Sequence, residues 1–170
     1  MKNLQELLRP RPSVFDKSRR DIALDMTDLT EGKIDPALFF AENYITQGMK
    51  ALYQAVFKRL EGKTDDGVFK LTQTMGGGKT HNMIAVGLLA KHPEFRQKVM
   101  GEVYQTTFHE PAKVIGFSGR ESPRYGIWGH IAEQLGKRDL FKDYYDPLEA
   151  PGQSAWINLL KGEKVVILLD

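Results

Sequence analysis

Three glycines followed by a lysine and a threonine stand near the middle of the chain, at residues 76–80. Successive glycines let a backbone curl closely around a cluster of oxygen atoms, where a Cβ atom would clash. A lysine and a hydroxyl directly after them suit the β and γ phosphates of a nucleoside triphosphate and the associated magnesium ion. Against the pattern G-x-x-x-x-G-K-[ST], the chain differs at the first position, where Gln73 replaces glycine. The pattern predicts ATP phosphate binding through Thr74, Met75, Gly76, Gly77, Gly78, Lys79, Thr80 and His81.

The segments on either side of this loop set its structural context. Residues 68–72 form a short β-favouring segment with apolar side chains at alternate positions, and they are predicted to form a strand. From Thr80 onward, apolar residues on nearly every side predict a helix buried against a sheet and ended by Pro93. Strand, glycine loop and helix in this order are the context that the phosphate-binding motif requires. The alternative is a plain glycine-rich turn, which leaves three glycines before Lys-Thr unexplained.

An acidic residue at the end of an apolar strand supplies the second half of such a site. Residues 165–169 are all apolar and predict a strand buried on both faces, as in a parallel sheet covered by helices. Asp170 follows directly, so its carboxylate is a candidate magnesium ligand together with Thr80. The alternative is an ordinary core strand that happens to end in a polar residue.

Downstream of the loop, the pattern continues to alternate between strands and helices. Residues 113–117 predict a second strand, and residues 125–135 predict a helix with apolar side chains at four-residue spacing. A polar connection over residues 136–153 precedes a further predicted helix at residues 154–160. The expected fold class is therefore α/β, a three-layer α/β/α P-loop NTPase fold around a parallel sheet. We expect this fold to be incomplete in the chain and preceded by a helical leader.

Upstream of the loop, the sequence predicts a leader followed by helices. Residues 1–34 show no sustained period of 2 or 3.6 residues, so we expect them to be irregular. Asp35 and Pro36 have the character of an N-cap and a first helical residue, and residues 49–60 carry an amphipathic helical pattern. We divide the chain into this leader and, over residues 35–170, the N-terminal part of a P-loop ATPase domain truncated after its acidic strand.

Composition narrows the class of protein. A length of 170 residues with 41% hydrophobic and 27% charged residues indicates one compact soluble domain. A net charge of +2 gives no argument for a nucleic-acid or anionic-membrane partner. The absence of cysteine excludes disulfides and thiolate chemistry. No stretch approaches the ~20 apolar residues that span a bilayer and no signal peptide is evident, so we expect a cytoplasmic protein without a membrane partner.

Other residues with chemical potential carry weaker signals. The four histidines lack metal-ligand spacing, so no zinc site is predicted. Ser118 misses the nucleophile-elbow pattern by one residue, and a hydrolase serine is not expected. Arg120 and Glu121 follow the second predicted strand, at the edge where ligands bind in open α/β sheets. They are candidates for sensing or for contacting a partner, and a solvated loop is the favoured interpretation.

A resemblance to a known family rests on three blocks of sequence, FFAENYITQGMKALYQAVFKRLEG, KLTQTMGGGKTHNMIAVGLLAKHP and KVVILLD. Over about residues 35–170 the chain resembles large prokaryotic predicted ATPases, catalogued largely as a domain of unknown function. Members resemble AAA+ proteins, and some are encoded with DNA methyltransferases and helicases in phage-defence clusters. The resemblance implies ATP and magnesium binding by the residues already named. It also makes Thr46 and Gln47, beside Tyr44, a candidate base or ribose contact, with a helix N-cap as the alternative for Thr46.

The loop and the resemblance together imply ATP binding and hydrolysis, with Lys79 as the candidate catalytic residue that offsets charge on the γ phosphate. The partners implied by the family are a second copy of the chain, DNA or defence-system proteins. In related enzymes a catalytic glutamate follows the acidic strand, and a further strand separates the two site strands. Because the chain stops before both, we expect a fragment of an ATPase. A P-loop kinase and a nucleotide-gated interaction module without turnover remain open as alternatives.

Overall fold

A two-stranded parallel sheet lies at the centre of the part of the chain that the structure describes. The structure is a computed structural model, and it describes residues 8, 10, 12–16, 24–72, 74, 76–144 and 149–170. Strand β1 (Lys113–Phe117) pairs in parallel with strand β2 (Val165–Leu169), with Lys113 opposite Val165 and Phe117 opposite Leu169. Both strands match the predicted bounds. The predicted three-layer P-loop fold itself stays a prediction.

Helices surround this sheet. The described α-helices are α1 (Met26–Thr30), α2 (Pro36–Glu42), α3 (Gln47–Leu60), α4 (Lys79–Lys91), α5 (Arg96–Met100), α6 (Gly126–Gln134) and α7 (Gln153–Leu160). Short 3-10 helices are formed by Pro12–Phe15, Pro93–Phe95 and Arg138–Tyr144. The helices predicted over residues 49–60, 125–135 and 154–160 are therefore confirmed, each within two residues at either end. Pro93 ends α4 as predicted.

Polar side chains cap the helices that precede the loop. Asp35 accepts hydrogen bonds from the N–H groups of Ala37 and Leu38 at 2.9 and 3.2 Å, which confirms it as the N-cap of α2. The Thr46 hydroxyl accepts from the N–H of Met49 at 3.3 Å and caps α3 in the same way. These caps fix where each helix begins, because they satisfy donors that have no partner inside the helix.

The segment predicted as an irregular leader contains a helix, α1, which corrects that prediction for residues 26–30. Asp25 and Asp28 form a capping box at its start. Met26 and Leu29 are each only 1% exposed and belong to the main hydrophobic core. Short helices of this kind are stabilised by burial of a few side chains, so a five-residue helix leaves little periodicity for sequence reasoning to detect.

Two hydrophobic clusters cover the sheet. The larger one is built from α1 to α5 and includes Tyr53, Phe57 and Leu89, and Val114 and Val166 of the sheet pack against it. The smaller one joins α6, the last 3-10 helix and α7, and it includes Ile131, Phe141 and Leu159. Neighbouring residues of the strands, Ile115 and Ile167, pack on this second cluster. Because successive side chains of a strand point to opposite faces, the two clusters lie on opposite sides of the sheet.

The strand predicted immediately before the glycine loop is not formed. Residues 68–72 have no regular structure, and Val68 is 92% exposed. An apolar groove of about 730 Å³ lies between this segment and β2. Alternation of side chains is a local property, whereas a strand needs a neighbour for its backbone groups. β2 is correspondingly less buried than predicted, with Leu169 54% exposed.

A buried arginine holds the end of α4. The Arg96 side chain is almost fully enclosed, and it donates hydrogen bonds to backbone carbonyls only. It lies against the rings of Phe57 and Phe108. Burial lowers the pKa of Arg96 to about 10, so the guanidinium is still charged at neutral pH. The carbonyls that accept its hydrogen bonds belong to Leu89, Ala90, Phe108 and Glu110.

A buried carboxylate holds the end of α3. One Glu61 oxygen accepts from the Thr106 hydroxyl and, at 2.7 Å, from the N–H of Thr107. The other accepts from the Tyr104 hydroxyl and, at 2.7 Å, from the Lys63 ammonium. Burial alone would raise the pKa of Glu61, but these hydrogen bonds outweigh burial and lower the pKa to about 2. The carboxylate thereby fastens α3 to the segment that leads toward β1.

Candidate nucleotide site

The glycine loop adopts a backbone that only glycine accepts readily. Gly76 and Gly78 have φ angles of 78° and 74°, in the left-handed region. The N–H of Gly77 donates to the Thr74 carbonyl at 3.0 Å and closes a turn. Gly78 is the N-cap of α4. The predicted phosphate-binding residue Met75 and the unusual Gln73 lie outside the described residues.

The first turn of α4 presents backbone donors. The N–H of Asn82 bonds to the Gly78 carbonyl at 2.9 Å, as the first intrahelical bond of this 13-residue helix. The N–H groups of Lys79, Thr80 and His81 precede this bond, and Gly78 has no side chain that could accept from them. Because the helix dipole adds a partial positive charge at the same point, this end of α4 is suited to an anion.

Thr80 and Asp170 meet, although 90 residues separate them in sequence. The Thr80 hydroxyl lies 2.8 Å from Oδ2 of Asp170. The N–H of Asp170 bonds to the Phe117 carbonyl at 2.9 Å, so the sheet pairing continues to the acidic residue and fixes its backbone. The predicted pair of magnesium ligands is therefore brought together at the carboxyl end of the sheet.

A cavity of about 700 Å³ opens at this point. Among the phosphate-binding residues predicted from the sequence, Gly76, Gly78, Lys79, Thr80 and His81 line it, together with Asp170. The Lys79 ammonium lies within the loop and donates to the Thr74 carbonyl at 3.2 Å. The cavity thus joins the glycine loop, the start of α4 and the end of β2.

The imidazole of His81 packs against a phenyl ring. Its ring is stacked on that of Phe39, with centroids 4.7 Å apart and planes inclined by 25°. Burial lowers the pKa of His81, so its side chain is neutral at pH 7. The ring therefore adds no positive charge for a phosphate, and the group of His81 suited to an anion is its backbone N–H.

The predicted base or ribose contacts lie elsewhere. Thr46 and Gln47 are not among the residues that line this cavity, and Tyr44 is 86% exposed. The Thr46 hydroxyl serves as the N-cap of α3, which was the alternative interpretation. On this side the cavity is lined instead by Leu24 and Asn43. No sequence signal marked these two residues, because their position depends on how α1 and α2 pack.

A second loop also lines the cavity. Ser118, Gly119 and Arg120 follow β1 and line the cavity. The Gly119 N–H donates to the Asp170 carbonyl at 2.7 Å. The sequence placed Arg120 at this edge of the sheet. It favoured a solvated loop over a role in binding for this residue.

Two further features bear on the kind of ligand. Within the described ranges, no three His, Asp or Glu side chains are grouped closely enough to hold a metal ion by themselves. A magnesium ion at Thr80 and Asp170 would consequently need ligand oxygens from elsewhere, such as phosphate and water. None of the described helices combines the length and the apolar character that a membrane crossing requires.

Comparison with known proteins identifies a family. The family model for the DUF499 N-terminal domain matches residues 7–105, more than half of the chain. This match includes the glycine loop and α4 and begins well before residue 35, where the resemblance from sequence began. Comparison with curated proteins gave no match, and comparison with solved structures gave none. The chain therefore belongs to the family of the DUF499 N-terminal domain, a domain of unknown function.

Proposed function

We propose that the chain binds ATP together with magnesium at the cavity between the glycine loop and β2. The observation that carries this proposal is the 2.8 Å contact between the Thr80 hydroxyl and the Asp170 carboxylate. A hydroxyl directly after a glycine-lysine loop and a carboxylate directly after an apolar strand are the two side chains that hold magnesium in P-loop enzymes. A packing role alone would not require both to face the same cavity as Lys79.

The local chemistry suits a triphosphate. Glycines in the left-handed region and the backbone N–H groups at the start of α4 suit phosphate oxygens, and the Lys79 ammonium adds a positive charge. A volume of about 700 Å³ falls within the range of roughly 300–1,000 Å³ typical of small-molecule sites. Magnesium, when bound, would neutralise charge on the β and γ phosphates. The apolar side chain of Leu24 and the amide of Asn43 suit the nucleoside end of the ligand.

ATP hydrolysis by the protein, within a DNA-processing or phage-defence system, is the activity that the family resemblance suggests. One observation favours the alternative of a nucleotide-gated module that binds without turnover. Among the described residues that line the cavity, Asp170 is the one with a carboxylate side chain, and this carboxylate already contacts the Thr80 hydroxyl. A general base for water would have to come from a further residue. Release of inorganic phosphate by the purified chain, measured with and without magnesium, separates the two.

Replacement of Lys79 tests the site directly. Lys79→Ala is expected to weaken binding of a fluorescent ATP analogue with magnesium at least about tenfold, or roughly 1.4 kcal/mol, because it removes the cation nearest the phosphates. The measurement is a fluorescence titration of both proteins, after circular dichroism has verified that each is folded. Lys70→Ala is the matched control, since Lys70 is exposed, carries the same charge and lies outside this cavity.

The possible results of this titration either support or contradict the proposed site. Loss of affinity in Lys79→Ala with parental affinity in Lys70→Ala supports the proposal. Equal affinity in all three proteins, or no binding by the folded parent, contradicts it. Equal weakening by both substitutions would indicate a general charge effect and would also contradict a specific site at Lys79.

A further inference from the structure

The loop after β1 has a fixed backbone beside the proposed phosphate site. The N–H of Arg120 donates to the Ser118 hydroxyl at 3.4 Å, and that of Glu121 donates to the Ser118 carbonyl at 2.9 Å. The Glu121 carboxylate accepts from the Thr27 hydroxyl at 3.3 Å and lies 3.6 Å from the ring of His130. The loop is thus tied to its own turn, to α1 and to α6, so the position from which Arg120 extends is set before any ligand arrives.

Asp170 connects this loop to the magnesium-binding side chains. Its carboxylate faces the Thr80 hydroxyl, while its backbone carbonyl accepts from the N–H of Gly119. A side chain at Gly119 would come to 3.4 Å from that carbonyl, so the loop passes close to the strand end. The residue after Gly119, Arg120, therefore borders the same cavity as Asp170 and Lys79.

The Arg120 side chain is available for a ligand. It is exposed, lines the cavity, and has no ion pair, hydrogen bond or ring contact with any of the described residues. Arg124, four residues later, is exposed as well, but its guanidinium lies over the ring of Tyr125 at 5.3 Å and it does not line the cavity. The guanidinium group of arginine presents a planar fork of N–H donors that matches phosphate oxygens. A side chain that only faced solvent would not need this geometry.

We propose that Arg120 contacts the terminal phosphate of the bound nucleotide, so that the site distinguishes a nucleoside triphosphate from a diphosphate. This inference rests on the proposed function of the same cavity. Thr80 and Asp170 would hold the magnesium ion, which would neutralise charge on the phosphates, and Lys79 would contribute a cation from the start of α4. Arg120 extends from the loop that is bonded to Asp170 and lines the same cavity, so we assign to it the phosphate beside the magnesium ion that Asp170 would hold. Two cations from different loops then share the charge of the triphosphate.

The experiment uses the full chain and two fluorescent probes, the N-methylanthraniloyl derivatives of ATP and ADP, each with magnesium. Arg120→Ala is expected to lose about fivefold to tenfold in affinity for the ATP probe and less than about twofold for the ADP probe, as expected for one charged hydrogen-bonding contact. Arg124→Ala removes the same charge from the same loop and is expected to bind both probes like the parent. Circular dichroism verifies the fold of all three proteins.

Each outcome has a distinct meaning. A selective loss for the ATP probe in Arg120→Ala supports the inference. Parental affinity for both probes, or equal losses for both, overturns it while leaving nucleotide binding intact. Equal losses in Arg120→Ala and Arg124→Ala overturn it as well, because only net charge would then matter. Failure of the folded parent to bind either probe overturns the proposed function itself, and with it this inference.

Discussion

Replacing Arg96 with alanine is expected to lower the free energy of unfolding by at least about 3 kcal/mol, the largest effect among the substitutions considered for this chain. The guanidinium donates to four backbone carbonyls, and its removal takes a donor from each of them, although the Ala90 carbonyl keeps its bond from the N–H of Ala112 at 2.8 Å. Two of those carbonyls, from Leu89 and Ala90, lie in the last turn of α4, where the helix itself supplies few donors. The other two belong to residues 108–110, which lead into β1. The substitution therefore loosens the helix that begins at the glycine loop and the approach to the central sheet together.

Urea unfolding followed by far-ultraviolet circular dichroism measures this effect. Lys98→Ala is the matched control, because Lys98 is exposed on the same helix as Arg96, and its removal is expected to change stability by less than about 0.5 kcal/mol. Arg96→Lys keeps the charge but cannot reproduce the planar fork, so it should lose most of the stability lost by Arg96→Ala. A change below about 1 kcal/mol in Arg96→Ala would contradict the role assigned to this side chain.

Replacing Glu61 with glutamine is expected to cost about 2 kcal/mol. Donors face both carboxylate oxygens: the Lys63 ammonium and the Tyr104 hydroxyl on one, and the Thr106 hydroxyl and the Thr107 N–H on the other. A glutamine has only one oxygen, so in either orientation its amide nitrogen meets one pair of donors. Glu102→Gln is the control, because Glu102 is 92% exposed and its ion pair with Lys50, at 3.6 Å, is screened by solvent.

The same carboxylate predicts how stability depends on pH. The pKa of Glu61 is about 2 in the folded protein, below its ordinary value of 4.5, so the folded state favours the ionised form. Its contribution is therefore fully present above about pH 4.5 and is lost as the pH falls from there toward 2. Unfolding free energies measured between pH 2 and 6 should fall more steeply with acid in the parent than in Glu61→Gln. Parallel pH profiles for the two proteins would contradict this linkage.

The elements that could be predicted are those whose signals are local. Asp35 and Pro36 marked the start of α2 because capping depends on residues within one turn. β1 and β2 were identified at their observed bounds because their apolar runs are short and clearly bounded. The strand predicted at residues 68–72 was wrong. The side chains there follow a strand-like pattern, but none of the described strands pairs with this segment. Tertiary pairing is not encoded in a five-residue pattern.

The candidate site follows the same division. Thr80 and Asp170 could be paired in advance, since a loop-helix junction and the end of a central strand meet at one edge of an α/β sheet. Leu24 and Asn43 could not, because they reach the cavity only through the packing of α1 and α2. Arg120 lay at the expected edge, but only the structure shows its loop bonded to Asp170. The binding of a nucleotide by these residues remains a prediction.

The edge-to-face pair of Trp128 and Trp156 has a spectroscopic consequence. Their ring centroids lie 5.8 Å apart at 87°, and they are the two tryptophans of the chain. Both pack on the smaller cluster, whereas Tyr53 and Phe57 lie in the larger one. Tryptophan emission is therefore a local reporter of the α6 and α7 side of the sheet, while the helical signal in circular dichroism comes mostly from the other side. Tryptophan fluorescence and circular dichroism recorded in one denaturant titration thus report on the two faces of the sheet separately. Coincident unfolding curves would show that the two faces unfold as one unit.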